Sequence, residues 1–339
     1  MTTEKFFIKI EEDETARRLD KFLALKLPSY SRSYFQQLIK KGRVAVNGKT
    51  ADQDYSLKVG DLISGEFEAV PEINVQADSS IKFKVIYDVP GFAVIEKPAG
   101  LVTHPSYTHK TMTLVNGLIA RWPEMANVGD HSAIRQVHSG EQSRTTSSGQ
   151  SAFRPGIVHR LDKETSGLMV VAKDNSMYLW LKNQFQERQV VKKYTALVYG
   201  EMKQMEGEIS APIARAGDRQ IVISNINKGF SGKPNKSRNA STGFKVLALY
   251  DGFTLVEAIP KTGRMHQIRV HLKYIVHPVV GDKKYASLKA LNRLPIGRHF
   301  LHASYLAFNL PSGENVEFKS DLPSDLKKTL SGLEKKCDI

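Results

Sequence analysis

The stretch HRLDKETSGLMVVAK, residues 159–173, joins a polar turn to a short apolar run. Residues 168–172 are continuously hydrophobic and follow Gly167, which predicts a buried strand. Asp162 would then lie on a rigid connector between elements of a sheet. By itself, an Asp followed by Thr-Ser-Gly is more often a turn residue whose carboxylate accepts backbone N–H groups. The stretch therefore makes Asp162 a catalytic candidate and leaves the turn interpretation open.

The composition indicates a protein that binds a polyanion. The 339 residues, 41% hydrophobic and 25% charged, can bury a large core and form more than one domain. Lys and Arg number 49 against 35 Asp and Glu, a formal net charge of +14. This excess favours phosphate backbones, because each neutralised phosphate releases condensed counterions. A membrane surface would also attract cations, but no amphipathic anchor or spanning run is evident, so no membrane association is expected.

The sequence also predicts a compartment and argues against several cofactor sites. The first residues, MTTEKFFIKIEED, lack the apolar core of a signal peptide, and Cys337 is the single cysteine, so we expect a cytoplasmic or otherwise reducing environment. No GxGxxG, Walker loop, HExxH or paired CxxC motif occurs. Pairs such as His299 and His302 lack acidic or thiolate partners at matching spacing. We expect no metal and no cofactor.

A basic lobe begins the chain. Residues 15–50 carry nine Lys and Arg side chains against one acid, Asp20, for a net charge of +8. Apolar residues at helical spacing predict one helix around residues 19–27 and a second from about residue 31 to Gly42. Residues 43–48 then predict a strand and an Asn-Gly hairpin turn. This arrangement resembles the small alpha-L RNA-binding domain of ribosomal and RNA-modifying proteins, with a solvated helical surface as the alternative.

Further motifs occur in a fixed order along the chain. They are EKPAGL (96–101), THP (103–105), HRLDKETSGLMVVAK (159–173), KYTALV (193–198), TGRMHQIRVHL (262–272) and LHA (301–303). Over about residues 82–320 this order resembles that of the RluA/RluD-type pseudouridine synthases. The resemblance implies an isomerase that detaches the uracil of an RNA uridine at ring nitrogen one and reattaches it through carbon five, without a cofactor.

The expected fold is α+β, with a mixed, mainly antiparallel sheet flanked by helices. Alternating segments at 84–87 and 92–95 predict strands, and no regular βαβ repeat follows them. The predicted division is an N-terminal extension (1–14), the alpha-L domain (15–68), a linker (69–81), a catalytic domain (82–325) with a flexible, exposed insertion (124–153), and a C-terminal tail (326–339). Seven acids against Lys58 in residues 51–80 separate the basic lobe from the catalytic domain.

The resemblance also implies three catalytic residues. Asp162 supplies an ionised carboxylate close to the sugar, Arg269 is the cation that compensates its charge, and Tyr194 packs against the target base. An Asp has an ordinary pKa of about 3.9, which burial raises unless an opposite charge compensates. Whether Asp162 attacks the sugar carbon or removes a sugar proton is left open.

A local pattern supports the role of Arg269. Apolar residues at spacings of three, four and three between Met265 and Ile275 predict a helix after Thr262, with Arg269 beside its apolar face. A cation directed inward needs an anion. At about 4 Å and an effective dielectric near 20, the pair with Asp162 would interact by roughly 4 kcal/mol. A surface Arg whose stem covers the helix is the alternative.

Other residues are predicted to contact RNA. The guanidinium plane of Arg160 can fill the gap left when a uridine is unstacked, and we expect its neighbour His159 to assist base flipping. A phosphate contact or a structural hydrogen bond is the competing role for Arg160. The predicted RNA-binding cations are Arg17, Lys21, Arg32, Lys40, Lys41, Arg43 and Arg264.

The expected substrate is structured RNA, and the expected product is pseudouridine in large-subunit ribosomal RNA. Modification of transfer RNA, a noncatalytic role in RNA binding or ribosome assembly, and glycoside hydrolysis are the alternatives. A glycoside hydrolase would require two carboxylates flanking an open sugar cleft. The expected oligomeric state is a monomer.

Overall fold

The computed structural model describes residues 3–15, 17–27, 32–68, 75–104, 111–129, 155–223 and 237–338. Two compact units divide the chain: Met1–Val75 with Gly129–Arg154, and Gln76–Val128 with Pro155–Ile339. Within the described ranges, every helix is too short or too polar to traverse a lipid bilayer.

The N-terminal unit combines two helices with a small sheet. Its elements are β1 (Thr3–Lys9), α1 (Leu19–Lys26), α2 (Arg32–Lys40), β2 (Val44–Val46), β3 (Lys49–Thr50) and β4 (Leu62–Glu68). The strand order is β1-β4-β2-β3, and apolar side chains of both helices pack on this sheet. Asn47 and Gly48 have φ of 54° and 74° in the hairpin turn, as a two-residue turn of this kind requires. The structure confirms the two predicted helices and the hairpin.

The first strand differs from the prediction. Residues 1–14 were expected to be an extension, but β1 pairs antiparallel with β4 from Thr3 opposite Glu68 to Lys9 opposite Leu62. Phe6 and Ile10 are buried, whereas Phe7 is 68% exposed. An exposed Phe next to a buried one hides the alternation that identifies a strand, which explains the difference.

The second unit contains the remaining elements. Its strands are β5 (Lys84–Val89), β6 (Phe92–Lys97), β7 (Ser166–Ala172), β8 (Val191–Tyr199), β9 (Glu206–Ser210), β10 (Ile213–Ala216), β11 (Arg219–Val222), β12 (Ser241–Tyr250), β13 (Phe253–Pro260), β14 (Leu301–Asn309), β15 (Asn315–Lys319) and β16 (Lys335–Asp338). Its helices are α3 (Leu114–Arg121), α4 (Asn175–Gln186), α5 (Gln267–Tyr274), α6 (Leu288–Arg293) and α7 (Ser324–Ser331).

One large sheet organises this unit. Its strand order is β16-β12-β13-β8-β14-β7-β6-β5, with β15 paired to β14 and β9 paired to β12. β7 and β14 are parallel, and the other named strand pairs of this sheet in the described ranges are antiparallel. All seven residues of β7 are buried, as its apolar run predicts. The predicted α+β fold with a mixed, mainly antiparallel sheet is confirmed.

Two of the predicted boundaries fall inside elements of secondary structure. The proposed insertion, 124–153, begins with residues of a 3-10 helix, Pro123–Asn127, in which Met125 is buried; residues 130–153 lie outside the described ranges. The proposed tail, 326–339, includes most of α7 and all of β16, which pairs with β12. The prediction for 124–153 rested on polar composition, which gives no sign that Met125 is buried; Leu326 of the proposed tail is buried as well.

Gly167 permits the close approach of β7 and β14. Its φ is +119°, and a Cβ there would lie 2.3 Å from the carbonyl oxygen of Ala303. We expect Gly167→Ala to lower the free energy of unfolding by about 1–3 kcal/mol, because backbone atoms of β14 must move. Urea denaturation measures this. Gly297→Ala is the control, since a Cβ there meets nothing within 4 Å; equal effects of the two substitutions would contradict the packing argument.

Candidate active site

Asp162 lies on the connector that leads into β7. The backbone carbonyl of Asp162 accepts a hydrogen bond from Thr165 N–H at 3.1 Å, which makes a tight turn. Its carboxylate is directed elsewhere: Oδ2 accepts a hydrogen bond from Arg269 Nη1 at 2.9 Å. The side chain is 20% exposed, so it is largely buried yet open on one side. The carboxylate thus binds a distant cation rather than the local backbone, in contrast to the turn interpretation.

Side chains from distant parts of the chain fix the connector on both sides of Asp162. Thr103 Oγ1 donates to the carbonyl of Leu161 at 2.9 Å, and Lys97 Nζ donates to the carbonyl of Lys163 at 3.0 Å. Because these two carbonyls flank Asp162, the backbone position of the carboxylate is set from outside the connector. Such preorganisation removes the cost of ordering the group when substrate binds.

Lys97 is a buried cation whose hydrogen bonds within the described ranges are to backbone carbonyls and not to a carboxylate. Its ammonium group donates to three backbone carbonyls, those of Pro98, Leu101 and Lys163, at 2.7, 2.9 and 3.0 Å. Burial lowers the pKa of Lys97 to about 7, against the opposing charges of Asp162 and Glu164. Its three donors are therefore used to join the loop of residues 98–101 to the Asp162 connector.

Two residues just before β14, Arg298 and His299, hold the end of the connector. Arg298 donates to the carbonyl of Glu164 at 3.1 Å and to Ser166 Oγ at 3.2 Å. The same guanidinium binds Asp325 of α7, with Nε 2.7 Å from Oδ2. His299 Nε2 lies 2.8 Å from Thr165 Oγ1. The C-terminal helix is therefore linked through Arg298 to the segment that carries Asp162.

Arg269 connects two carboxylates. It lies in α5, as the apolar spacing predicts, and its side chain is buried. Nη1 binds Asp162, while Nε and Nη2 bind the two oxygens of Asp282 at 2.7 and 2.8 Å. The bidentate contact fixes the plane of the guanidinium. The guanidinium carbon of Arg269 also lies 5.1 Å from the centroid of the Tyr285 ring.

Asp282 was not predicted, although it is the more buried of the two acids. Its side chain is 0% exposed, and Oδ1 also accepts hydrogen bonds from the backbone N–H groups of Lys284 and Tyr285 at 3.0 and 3.1 Å. Burial raises the pKa of Asp282, but the contacts with Arg269 outweigh burial, so the net shift is downward. For the same reason the pKa of Arg269 is raised despite its burial.

The surroundings keep Asp162 ionised. Burial raises its pKa, yet at the acid pH where Asp162 titrates the charges of protonated His266, of Arg269 and of protonated His299, with the hydrogen bond from Arg269, hold it below its ordinary value. Burial lowers the pKa of His266, and that of His299 to about 4, so both imidazoles are mainly neutral at pH 7. Arg269 is then the cation next to Asp162 at neutral pH. At 2.9 Å and an effective dielectric near 20, this pair interacts by about 6 kcal/mol.

Tyr194 lies near Asp162 within β8. It is buried, and its strand neighbours are Ala258 of β13 and Ala303 of β14. Burial raises the pKa of Tyr194, and the charge of Asp162 raises it further. The phenol is therefore protonated at neutral pH. All three residues predicted to be catalytic thus lie in one region of the second unit.

His159 and Arg160 differ in their surroundings. The imidazole of His159 stacks on Phe185 with ring centroids 4.6 Å apart, and its Nε2 accepts a hydrogen bond from Val170 N–H at 3.0 Å. Burial and the charge of Lys192 lower the pKa of His159 to about 3, so the ring is neutral. These contacts pack His159 against Phe185 and β7, and its role in base flipping stays a prediction. Arg160 is exposed.

The predicted RNA-binding cations lie in both units. In the N-terminal unit, the exposed ones are Arg17, Lys21, Lys40, Lys41 and Arg43. Arg32 is the first residue of α2, and its side chain lies outside the described positions. Arg264, in the second unit, is half-buried and donates to the carbonyl of Asn239 at 3.3 Å.

The clamp formed by Arg269 and the two acids leads to a stability prediction. We expect Arg269→Met to lower the free energy of unfolding at pH 7 by about 3–5 kcal/mol, because Asp282 is left buried without its cation. Adding Asp282→Asn should recover part of this loss, since Asn keeps an acceptor for the two backbone N–H groups. Urea denaturation of the two single variants and the double variant measures the coupling.

The loss of unfolding free energy in Arg269→Met should depend on pH. In the wild type the lowered pKa of Asp282 contributes stability above its unfolded pKa, about 3.9, that is lost as pH falls through the folded value. In Arg269→Met the pKa of Asp282 should be raised instead, so the variant recovers stability relative to the wild type as pH falls from 7 to 4. If the wild type and Arg269→Met differ in unfolding free energy by the same amount at pH 4 and pH 7, the loss cannot be assigned to Asp282.

Comparisons with known proteins place these residues in a family. A model described as RNA pseudouridylate synthase matches residues 91–274, and an S4 domain model matches residues 17–63. Among solved structures, human RNA Pseudouridylate Synthase Domain Containing 1 superposes with a TM-score of 0.56 at 25% identity, covering 78% of this chain and 93% of that one.

Relatives are similar along nearly the whole chain. An uncharacterized RNA pseudouridine synthase, YlyB, of Bacillus subtilis strain 168 is 38% identical over 97% of this chain and 98% of its own length. Ribosomal large subunit pseudouridine synthase C of Vibrio parahaemolyticus is 32% identical over 98% of each chain. Ribosomal large subunit pseudouridine synthase D of Neisseria meningitidis is 35% identical over 93% of this chain and 78% of its own. The chain belongs to the RNA pseudouridine synthases, isomerases that convert uridine in RNA to pseudouridine, and it carries an N-terminal S4 domain.

Proposed function

We propose that this enzyme isomerises specific uridines of large-subunit ribosomal RNA, with Asp162 as its essential catalytic residue. The observation that carries the proposal is the carboxylate of Asp162, held 2.9 Å from Arg269 and partly open to solvent. The names of the Vibrio and Neisseria relatives, ribosomal large subunit pseudouridine synthases C and D, favour ribosomal RNA of the large subunit as the substrate. Such a substrate also favours the cytoplasm as the place of action.

The chemistry requires an ionised acid beside the sugar. Direct attack on the sugar carbon and removal of a sugar proton both use a carboxylate that has lost its proton. The pKa of Asp162 lies below its ordinary value, so the acid is ionised throughout the neutral range. Because Arg269 is itself fixed by Asp282, the carboxylate keeps its orientation while the glycosidic bond is broken.

Tyr194 is proposed to hold the uracil while it is detached from the sugar. Stacking of a base on an aromatic ring contributes roughly 1–3 kcal/mol, which favours retention of a base that has no covalent link. The raised pKa of Tyr194 means that its phenol carries a proton at neutral pH. The group can therefore donate a hydrogen bond to the base, and to accept the proton of carbon five it would first have to pass its own proton to another base.

Arg160 is proposed to enter the space that the flipped uridine leaves, since it is exposed and precedes Asp162 by two residues. The predicted RNA-binding cations are proposed to bind phosphates: Arg17, Lys21, Arg32, Lys40, Lys41, Arg43 and Arg264. Each such contact should add to the salt dependence of RNA binding.

The catalytic role of Asp162 can be tested with RNA that carries tritium at uracil carbon five, because isomerisation releases that label to water. Asp162→Asn should bind RNA nearly as the wild type does and should reduce label release by about 10²- to 10⁴-fold or more. The matched control is Asp321→Asn, since Asp321 is 94% exposed. Release at the wild-type rate from Asp162→Asn would disprove the site, and binding without release by the wild type would favour an assembly factor.

The role of Arg160 predicts a dependence on RNA structure. Arg160→Ala should slow modification of a folded RNA by about 10-fold or more, which corresponds to about 1.4 kcal/mol of the cost of unstacking the base. It should slow modification of an unstructured oligonucleotide much less. Single-turnover rates on the two substrates measure the difference, and equal losses on both would contradict a role in filling the gap.

A further inference from the structure

His266 has an unusual backbone conformation next to the catalytic acid. It immediately precedes α5, with φ of 55° and ψ of 18°, in the left-handed region. Few residues other than Gly adopt this conformation, because the Cβ crowds the following carbonyl, although His, like Asn and Asp, adopts it more often than most. Strain of this kind persists where surrounding contacts impose it, and it is concentrated at functional sites. The conformation places His266 Nε2 3.9 Å from Asp162 Oδ2.

The other ring nitrogen identifies the tautomer. His266 Nδ1 lies 2.8 Å from the hydroxyl oxygen of Tyr285, and that oxygen accepts a hydrogen bond from Gln220 N–H at 3.0 Å. Tyr285 is buried, so its O–H needs an acceptor within the protein. Nδ1 is that acceptor. The imidazole then carries its proton on Nε2, the nitrogen that faces Asp162.

The two oxygens of Asp162 therefore have different surroundings. Arg269 Nη1 donates to Oδ2, and the Nε2–H of His266 faces the same oxygen. Among the described residues no hydrogen bond or ion pair involves Oδ1, so Oδ1 is the oxygen available to the ribose. A separation of 3.9 Å is too long for a hydrogen bond, but such contacts commonly shorten once substrate fills a site.

We propose that His266, as the neutral tautomer set by Tyr285, is a positioning residue that donates from Nε2 to Asp162 Oδ2 and presents Oδ1 to the sugar. This inference rests on the proposed catalytic role of Asp162. Unlike Arg269, whose charge is permanent, His266 can gain a second proton.

The groups around His266 determine its response to pH. The charged and titratable neighbours are Asp162 of the connector, Arg269 of α5, and Asp282, Lys284 and Tyr285 of the loop that follows. Burial lowers the pKa of His266, and the charge of Asp162 opposes that shift. At acid pH the protonated imidazole would pair with Asp162 and weaken it as a nucleophile or base. The acid limb of kcat should therefore follow protonation of His266.

Two substitutions separate positioning from a structural role. His266→Asn suits the left-handed backbone but is too short to reach Asp162, so kcat should fall about 10- to 100-fold with little change in the dissociation constant of RNA. His266→Gln places an amide N–H near the Nε2 position, so it should recover about 10-fold of that loss and should lack the acid limb. Equal loss in both variants, or wild-type kcat in His266→Asn, would overturn the proposal.

Nitrogen-15 NMR of the imidazole provides a readout that does not depend on activity. The wild type should show the Nε2–H tautomer at pH 7. Asp162→Asn should lower the pKa of His266 further, because it removes the charge that favours the imidazolium. Tyr285→Phe should raise that pKa, because it removes a donor that stabilises the neutral ring. The Nδ1–H tautomer in the wild type would overturn the proposal.

The outcomes also distinguish this inference from the proposed function. If Asp162→Asn still releases tritium at the wild-type rate, the catalytic assignment fails, whatever the tautomer of His266. If Asp162→Asn is inactive while His266→Asn retains wild-type kcat, the catalytic assignment stands and the role of His266 fails.

Discussion

The site depends on a single guanidinium shared between two carboxylates. Arg269 binds Asp282 with two nitrogens and Asp162 with a third, so the fully buried acid fixes the cation and the cation fixes the partly open acid. An Arg bound to Asp162 alone could rotate about its long side chain, whereas the bidentate contact sets its plane. The clamp has one cation and two anions, which leaves one net negative charge, and Asp162 is its solvent-accessible end.

Other residues of the second unit fix the position of the segment that carries Asp162. The connector that carries Asp162 is tied by Lys97 from the end of β6, by Thr103, and by Arg298 just before β14. These anchors bind backbone carbonyls, so they set the position of the chain without competing for the carboxylate. The site is assembled from segments far apart in sequence, and a change in sheet packing, such as one near Gly167, would be transmitted to it.

The elements that carry Asp162 and Arg269 were predictable from local sequence patterns. The apolar run after Asp162 predicts β7, and the spacing around Arg269 predicts α5. Asp282 was not predictable in the same way: an Asp between Gly281 and two lysines is typical of an exposed turn, whereas the folded chain buries it against Arg269 and two backbone N–H groups. The left-handed conformation of His266 and its contact with Tyr285 are likewise not encoded by local spacing. The roles inferred from family resemblance remain proposals, although the geometry brings their residues together.

The central claim is that Arg269 keeps a largely buried Asp162 ionised. A carbon-13 NMR titration of the Asp162 carboxyl group tests it most directly, with Asp162→Asn used to assign the resonance. A pKa below the ordinary value near 3.8, with the carboxylate form present across the neutral range, is the result that the clamp requires. A pKa raised towards neutrality would mean that burial outweighs the guanidinium, and it would contradict the account.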